Sequence, residues 1–220
     1  MPHAPRFLGA LLLAAAIAAC DSDPTATAAF LTSTQPAVDF GRRDVTSAQV
    51  VRAIHIQNTG GSASGALGVS ITGPGAAGFR IDTAGSTCIG HRLAPNAGCD
   101  VAVRLDGQAS GPLTATLVVT GAGANSQSAL VALSGTLVSK LNVYYQGTGH
   151  GTVTESAHGT SCIATCTLDL DVPTVTLGAA PDPQSSFAGW VGAPGCGTSP
   201  TCTMTLIDLN AVTVKFDPIP

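Results

Sequence analysis

Apolar residues recur at every second position in short runs along most of this chain, and Gly-rich turns separate the runs. Val101, Val103 and Leu105 alternate with Ala102 and Arg104, and Leu113, Ala115, Leu117 and Val119 alternate with Thr114, Thr116, Val118 and Thr120. Ile54 and Ile56 alternate with Ala53, His55 and Gln57. A strand points successive side chains to opposite faces, so each run reads as a half-buried strand. Asn58-Thr59-Gly60-Gly61 closes one of them, and no helical segment of useful length interrupts the pattern. About one hundred residues with this spacing, from 36 to 139, suggest an immunoglobulin-like sandwich. After a junction at Val138-Ser139-Lys140 the alternation resumes in Leu141, Val143 and Tyr145, in Val175, Leu177 and Ala179, and in Val212, Val214 and Phe216. The expectation is an all-β chain: a sandwich over 36–139, then a second small β-rich module over 140–220 whose core holds Trp190.

The first residues read as an export address. Arg6 and the amino terminus form a short positive region, and Phe7 to Ala19 is an apolar stretch within the ~7–15 residues usual for a secretory signal. It falls short of the ~20 residues that a membrane-spanning helix needs. Ile17-Ala18-Ala19-Cys20 resembles a bacterial lipobox. That resemblance implies residues 1–20 as a lipoprotein signal peptide, lipidation of the Cys20 thiol, cleavage before it, and acylation of the new terminus with palmitate-type chains. One chain holds a protein marginally and several anchor it stably, which implies a lasting membrane anchor. An ordinary signal cleaved near Ala18 or Ala19 is the plainer alternative. Asp21 resembles an inner-membrane retention signal of some Gram-negative bacteria. Residues 21–35, rich in Ser, Thr, Ala and Pro without apolar periodicity, are expected to be a flexible tether.

Six further cysteines fall as close pairs: Cys88 with Cys99, Cys162 with Cys166, and Cys196 with Cys202. In an exported chain an even set reads as disulfides, and nearest-neighbour pairing is one of about 15 connectivities. Zinc is the competing reading, but no C-x-x-C occurs and no His lies at ligand spacing. Residues 36–139 carry six basic and five acidic side chains, whereas 140–220 carry two and six. No basic patch argues for nucleic acid.

Two families are resembled. Val38-Asp39-Phe40-Gly41, Ile54-x-Ile56-x-Asn58-Thr59-Gly60, Phe79, Cys88, Leu93-Ala94-Pro95, Cys99-x-Val101-x-Val103, Gly111 and Leu133-Ser134-Gly135-Thr136 look like the Hydin-type, or choice-of-anchor D, immunoglobulin-like repeat. That resemblance implies that Cys88 and Cys99 staple the loop before a core strand. Leu105-Asp106-Gly107 departs from the Phe-x-Pro common there. Residues 140–220 resemble the divergent internalin B-repeat module through Gly147-x-Gly149-x-Gly151-x-Val153, Cys162-x-x-x-Cys166, Phe187-x-Gly189-Trp190, Cys196, Cys202-x-Met204 and Val212-x-Val214-x-Phe216. The resemblance implies exported, non-catalytic surface modules.

Candidate chemistry is sparse. Gly147-Thr148-Gly149-His150-Gly151 superficially suggests a phosphate loop, but no Lys and no following helix support it, so a hairpin turn is expected. His150 and His158 could meet across that hairpin on a metal, but solvated loop histidines are the expectation. Asp169 and Asp171 share a strand face and could form a cation site or an acid/base pair. Glu155 is the sole glutamate and no Gly-x-Ser-x-Gly elbow occurs. The expectation is therefore no catalytic, cofactor or metal residues. The chain would be a lipid-anchored cell-envelope protein, facing the periplasm or the cell surface, that offers β modules to a protein or glycan. A structural spacer or subunit of an envelope assembly is the alternative, and a small hydrolase using Asp169, Asp171 and a loop histidine the remote one.

Overall fold

The computed structural model describes residues 28–47, 50–122, 126–206 and 211–220. The expected signal peptide over 1–20, with Cys20, and the expected retention signal at Asp21 lie outside them.

Nine strands build the first half: β1 (Ala29–Ser33), β2 (Ala37–Asp44), β3 (Val51–Asn58), β4 (Leu67–Thr72), β5 (Phe79–Asp82), β6 (Gly98–Leu105), β7 (Gly111–Gly121), β8 (Ser126–Gln127) and β9 (Ala129–Gln146). A single 3₁₀ turn, Ala76–Gly78, is the one helical element among the described residues. One sheet runs β5-β6-β3-β1-β8, and the facing sheet contains β4, β7, β9 and β2. Between them lies an aliphatic core in which Phe40, Ile54, Ile56, Val101, Leu117 and Val131 are wholly buried. This is a two-sheet sandwich of the immunoglobulin-like type. The second half continues with β10 (Gly151–Glu155), β11 (Ser161–Cys162), β12 (Cys166–Leu170), β13 (Thr174–Pro181), β14 (Ser185–Val191), β15 (Thr201–Thr205) and β16 (Ala211–Pro218). Its four-stranded sheet, β11-β10-β13-β15, faces one formed by β14, β16, β12 and the end of β9.

Two differences from the sequence reading concern boundaries. The tether expected over 21–35 is cut short, because Ala29–Ser33 is strand β1, with Ala29 and Leu31 buried. Its partner is β3, where Leu31 sits opposite Asn58, so the pairing that makes it a strand lies far along the chain. The junction at Val138-Ser139-Lys140 lies within a strand. It is the middle of β9, an 18-residue strand of about 60 Å. Odd-numbered residues of β9 face inward throughout: Val131, Leu133 and Leu137 enter the first core, Leu141 and Val143 the second. One unbroken period-two pattern thus serves both cores.

Asn58 explains why the Asn-Thr-Gly turn is shaped as it is. Its buried side chain accepts from the amides of Phe30 and Gly60 and donates to the carbonyls of Ser62 and Leu93. A buried amide with every hydrogen-bonding position used is a structural fixture. Trp190 is buried in the second core, with its Nε1 donating to Ser199 O at 2.9 Å. Disulfides join Cys88 to Cys99, Cys162 to Cys166, and Cys196 to Cys202. They place the protein in an oxidising, extracytoplasmic setting.

Candidate functional site

The densest cluster of charged side chains lies where the two cores meet, and strand register assembles it. β12 pairs antiparallel with β9 so that Asp169 stands opposite Lys140. Lys140 Nζ donates to Asp169 Oδ1 at 2.7 Å and lies 3.9 Å from Asp44 Oδ2 at the end of β2. Asp171, just beyond β12, accepts from Arg42 Nη1 of β2 at 2.5 Å through Oδ2. Its Oδ1 lies 2.9 Å from His158 Nε2, and His158 Nδ1 lies 3.5 Å from Glu155 Oε1. Ser110 Oγ adds a bond to Val172 O at 2.5 Å. Arg42, Asp44 and Ser110 belong to the first sandwich, and the other groups to the second module or to β9.

Glu155 organises the loop that delivers His158. Its buried carboxylate accepts amide hydrogens from Ala157, His158 and Thr160. Burial pushes its pKa up, but the amides of Thr160, Ala157 and His158 outweigh burial and hold it below the ordinary glutamate value. The Arg42 hydrogen bond lowers the pKa of Asp171 against its partial burial. The hydroxyl and amide of Thr46 lower that of Asp44. The hydrogen bond to Asp169 raises that of Lys140. All four groups are thereby held charged at neutral pH.

A cluster satisfied in this way is a clasp and is poorly arranged for acid/base work. A general base needs a free nitrogen or oxygen aimed at the proton it takes, and both ring nitrogens of His158 face carboxylates. Asp169 and Asp171 bind different cations, so they do not act on one shared proton or ion. His150 and His158, read above mainly as loop histidines, do not meet on a metal: the two flank the extended strand β10, whose five residues hold them roughly 17 Å apart. The Gly147–Gly151 stretch is corrected from a hairpin to an arch, because β9 and β10 lie in different sheets. Its glycine is required by close approach: a Cβ on Gly147, at φ +91°, would lie 2.0 Å from Phe216 O. Among the described residues no three His, Cys, Asp or Glu side chains are grouped to hold a metal ion. Surface hollows of about 50 and 160 Å³ lie near Arg43–Asp106 and Gly78–Leu113, and neither includes Asp169, Asp171 or His158.

Sequence reasoning singled out Asp169, Asp171 and His158 but missed Arg42, Asp44 and Lys140. No local pattern ties Arg42 to Asp171 across 129 positions. The one usable signal was Lys140, the only lysine between the two β-rich segments.

No family model matches the sequence, and no curated protein does. Solved structures share its β architecture loosely. The Vibrio cholerae protease VesB is 20% identical over 48% of this chain and 31% of its own, with a TM-score of 0.33. The Bacillus anthracis TIE protein is 12% identical over 90% of this chain and 40% of its own, with a TM-score of 0.40. The class 5 fimbriae chaperone CfaA is 7% identical over 81% of this chain and 100% of its own, with a TM-score of 0.34. This chain thus spans under half the length of VesB and TIE. Likenesses at this level carry no functional argument.

Proposed function

We propose that this chain is an exported lipoprotein whose acylated Cys20 tethers a stiff two-module β rod to a bacterial membrane. The rod presents non-catalytic surfaces to another protein or a glycan. The observation that carries the reading is β9, which feeds both cores without a break while the Arg42–Asp171 and Lys140–Asp44 pairs brace the junction. A continuous strand removes the hinge that a flexible linker would supply. The lipobox supports the anchor, and the resemblances to choice-of-anchor D and internalin B-repeat modules support a presenting role. Membrane fractionation of cells expressing the wild type and Cys20→Ala tests the anchor: release of the variant into the soluble fraction is expected. Retention of the variant in the membrane would sink it.

A second reading, a subunit of an envelope assembly, draws on the edge strand β15. Pro200 O and Leu206 N both bond toward β13. By alternation Thr203 and Thr205 therefore turn their main-chain groups outward. An uncharged edge without Lys or Pro is open to strand addition. Cross-linking in intact envelopes distinguishes the two readings, since a stoichiometric protein partner captured through β15 favours the subunit.

A further inference from the structure

The outer face of the second module carries a patch with the makings of a ligand surface, and its composition indicates the ligand. Side chains of β9, β16, β14 and β12 that point away from the core lie in rows set by the register. Tyr144 on β9 stands beside Thr213 on β16, which stands beside Val191 on β14. Asn142 precedes this row on β9 and Gln146 follows it. Tyr144 is 46% exposed and Val191 53%. Apart from Phe30 on the first sandwich, Tyr144 is the exposed large aromatic among the described residues.

Charge meets the patch only as ion pairs, one at each end. Toward the junction Lys140 pairs with Asp169, and at the far end Lys215, the cross-strand neighbour of Gln146, pairs with Asp217 at 3.2 Å. Each pair neutralises itself, so no net charge is left to attract an ionic partner. Between them stand one amphipathic ring and two carboxamides. Thr167 Oγ1 donates to Asn142 Oδ1 at 2.7 Å, which fixes the amide plane and turns the two N–H donors of Asn142 away from that bond. Amides both donate and accept, and a tyrosine ring offers an apolar face with a polar tip. A protein interface core would call for a larger apolar patch than one ring and one valine. The combination matches a ligand that is uncharged, rich in hydroxyls, and apolar only on the C–H face of its rings.

We infer that the strand face centred on Tyr144, with Asn142 and Gln146 beside it, binds a neutral glycan, one sugar ring stacking on the tyrosine while its hydroxyls bond to the two amides. This rests on the presenting role above and names the partner chemistry for one face of the rod.

The test uses the full-length chain and its Tyr144→Ala, Tyr144→Phe and Gln146→Ala variants, titrated with soluble neutral oligosaccharides of glucose, galactose and N-acetylhexosamines. Saturation-transfer NMR and Trp190 fluorescence serve as readouts. At least one oligosaccharide is expected to bind. Tyr144→Ala should weaken it at least about tenfold and Gln146→Ala about threefold, whereas Tyr144→Phe should stay within about twofold, since the ring face persists. Raising the salt concentration should leave the affinity unchanged. Tyr144 is half-exposed and outside the core, so a thermal melt of Tyr144→Ala matching the wild type shows that lost binding is not lost folding. Three results would overturn the inference: no neutral glycan binds, binding is indifferent to Tyr144→Ala, or only charged glycans bind with steep salt dependence. The presenting role survives those results if envelope cross-linking still captures a protein partner, and it falls separately if Cys20→Ala leaves membrane retention unchanged.

Discussion

The two modules reach stability by different means. The first buries a broad aliphatic core with a single ring pair, Phe40 against Phe79 at 5.4 Å, and one disulfide. The second is smaller and clusters Tyr145, Phe187, Trp190 and Phe216 with centroids 5.6–6.0 Å apart, adding two disulfides. Tyr145 also donates its hydroxyl to Cys162 O and accepts from the Val153 amide. A small fold buries a smaller share of its surface, so large rings and covalent loops replace the aliphatic layers it lacks room for. The pairing teaches that β9 joins a module held by packing breadth to one held by local staples.

Breaking the ring cluster should produce the largest effect. Phe216 is fully buried and touches both Tyr145 and Phe187. Phe216→Ala should cost the second module about 3–5 kcal/mol. Trp190 is the only tryptophan, so its fluorescence reports that module alone during urea unfolding. Equal shifts in the tryptophan and far-ultraviolet dichroism transitions would show that β9 welds the modules into one cooperative unit.

Reduction sharpens the comparison from the covalent side. Two short loops at about 2 kcal/mol each predict a loss near 4 kcal/mol for the second module, against about 3 for the longer Cys88–Cys99 loop. The tryptophan midpoint should therefore fall further than the dichroism midpoint when reductant is added. The reverse order would contradict the staple account. In the first module, Asn58→Ala removes four hydrogen bonds to main-chain groups around a buried site, of which only Leu93 O keeps another, and should cost about 2–3 kcal/mol. Its effect should appear in dichroism before tryptophan fluorescence changes.

Acid bears on the junction. Hydrogen bonds and neighbouring cations hold the folded carboxyls of Asp44, Glu155 and Asp171 below their ordinary range. Groups with depressed folded values add stability that is fully present above the unfolded pKa and is lost as pH falls through the folded one. Stability should therefore be flat from neutrality to about pH 5 and decline below about pH 4.5, as melts across that range would show. Asp171→Asn should change stability least, by under about 1 kcal/mol, because the Arg42 side of the pair is exposed. Its signature is geometric: spin labels on the two modules should give a broader distance distribution. An unchanged distribution would assign the stiffness to β9 alone.

How legible these features were depended on how far apart the partners lie. The alternations in β7, β9, β13 and β16 were readable because a half-buried strand writes period two into its own residues. Asp169 and Asp171 stood out as a pair, yet the cations that occupy them were invisible, since Arg42 is contributed by a parallel pairing of β2 with β9. His150 and His158 looked close in sequence, and the extended strand between them kept them apart.

The sequence by itself determined the all-β class and the inward faces of the alternating strands, because those depend on neighbours a few residues away. Only the tertiary structure decided that Ala29–Ser33 joins a sheet, that the junction is a strand rather than a linker, and that Glu155 is a buried anchor for its loop. Those outcomes rest on the antiparallel pairing of β1 with β3, on the pairings of β9 with strands of both modules, and on main-chain amides converging on one carboxylate. Contacts between distant segments are set by which faces can be buried together, and no single stretch of chain encodes that choice.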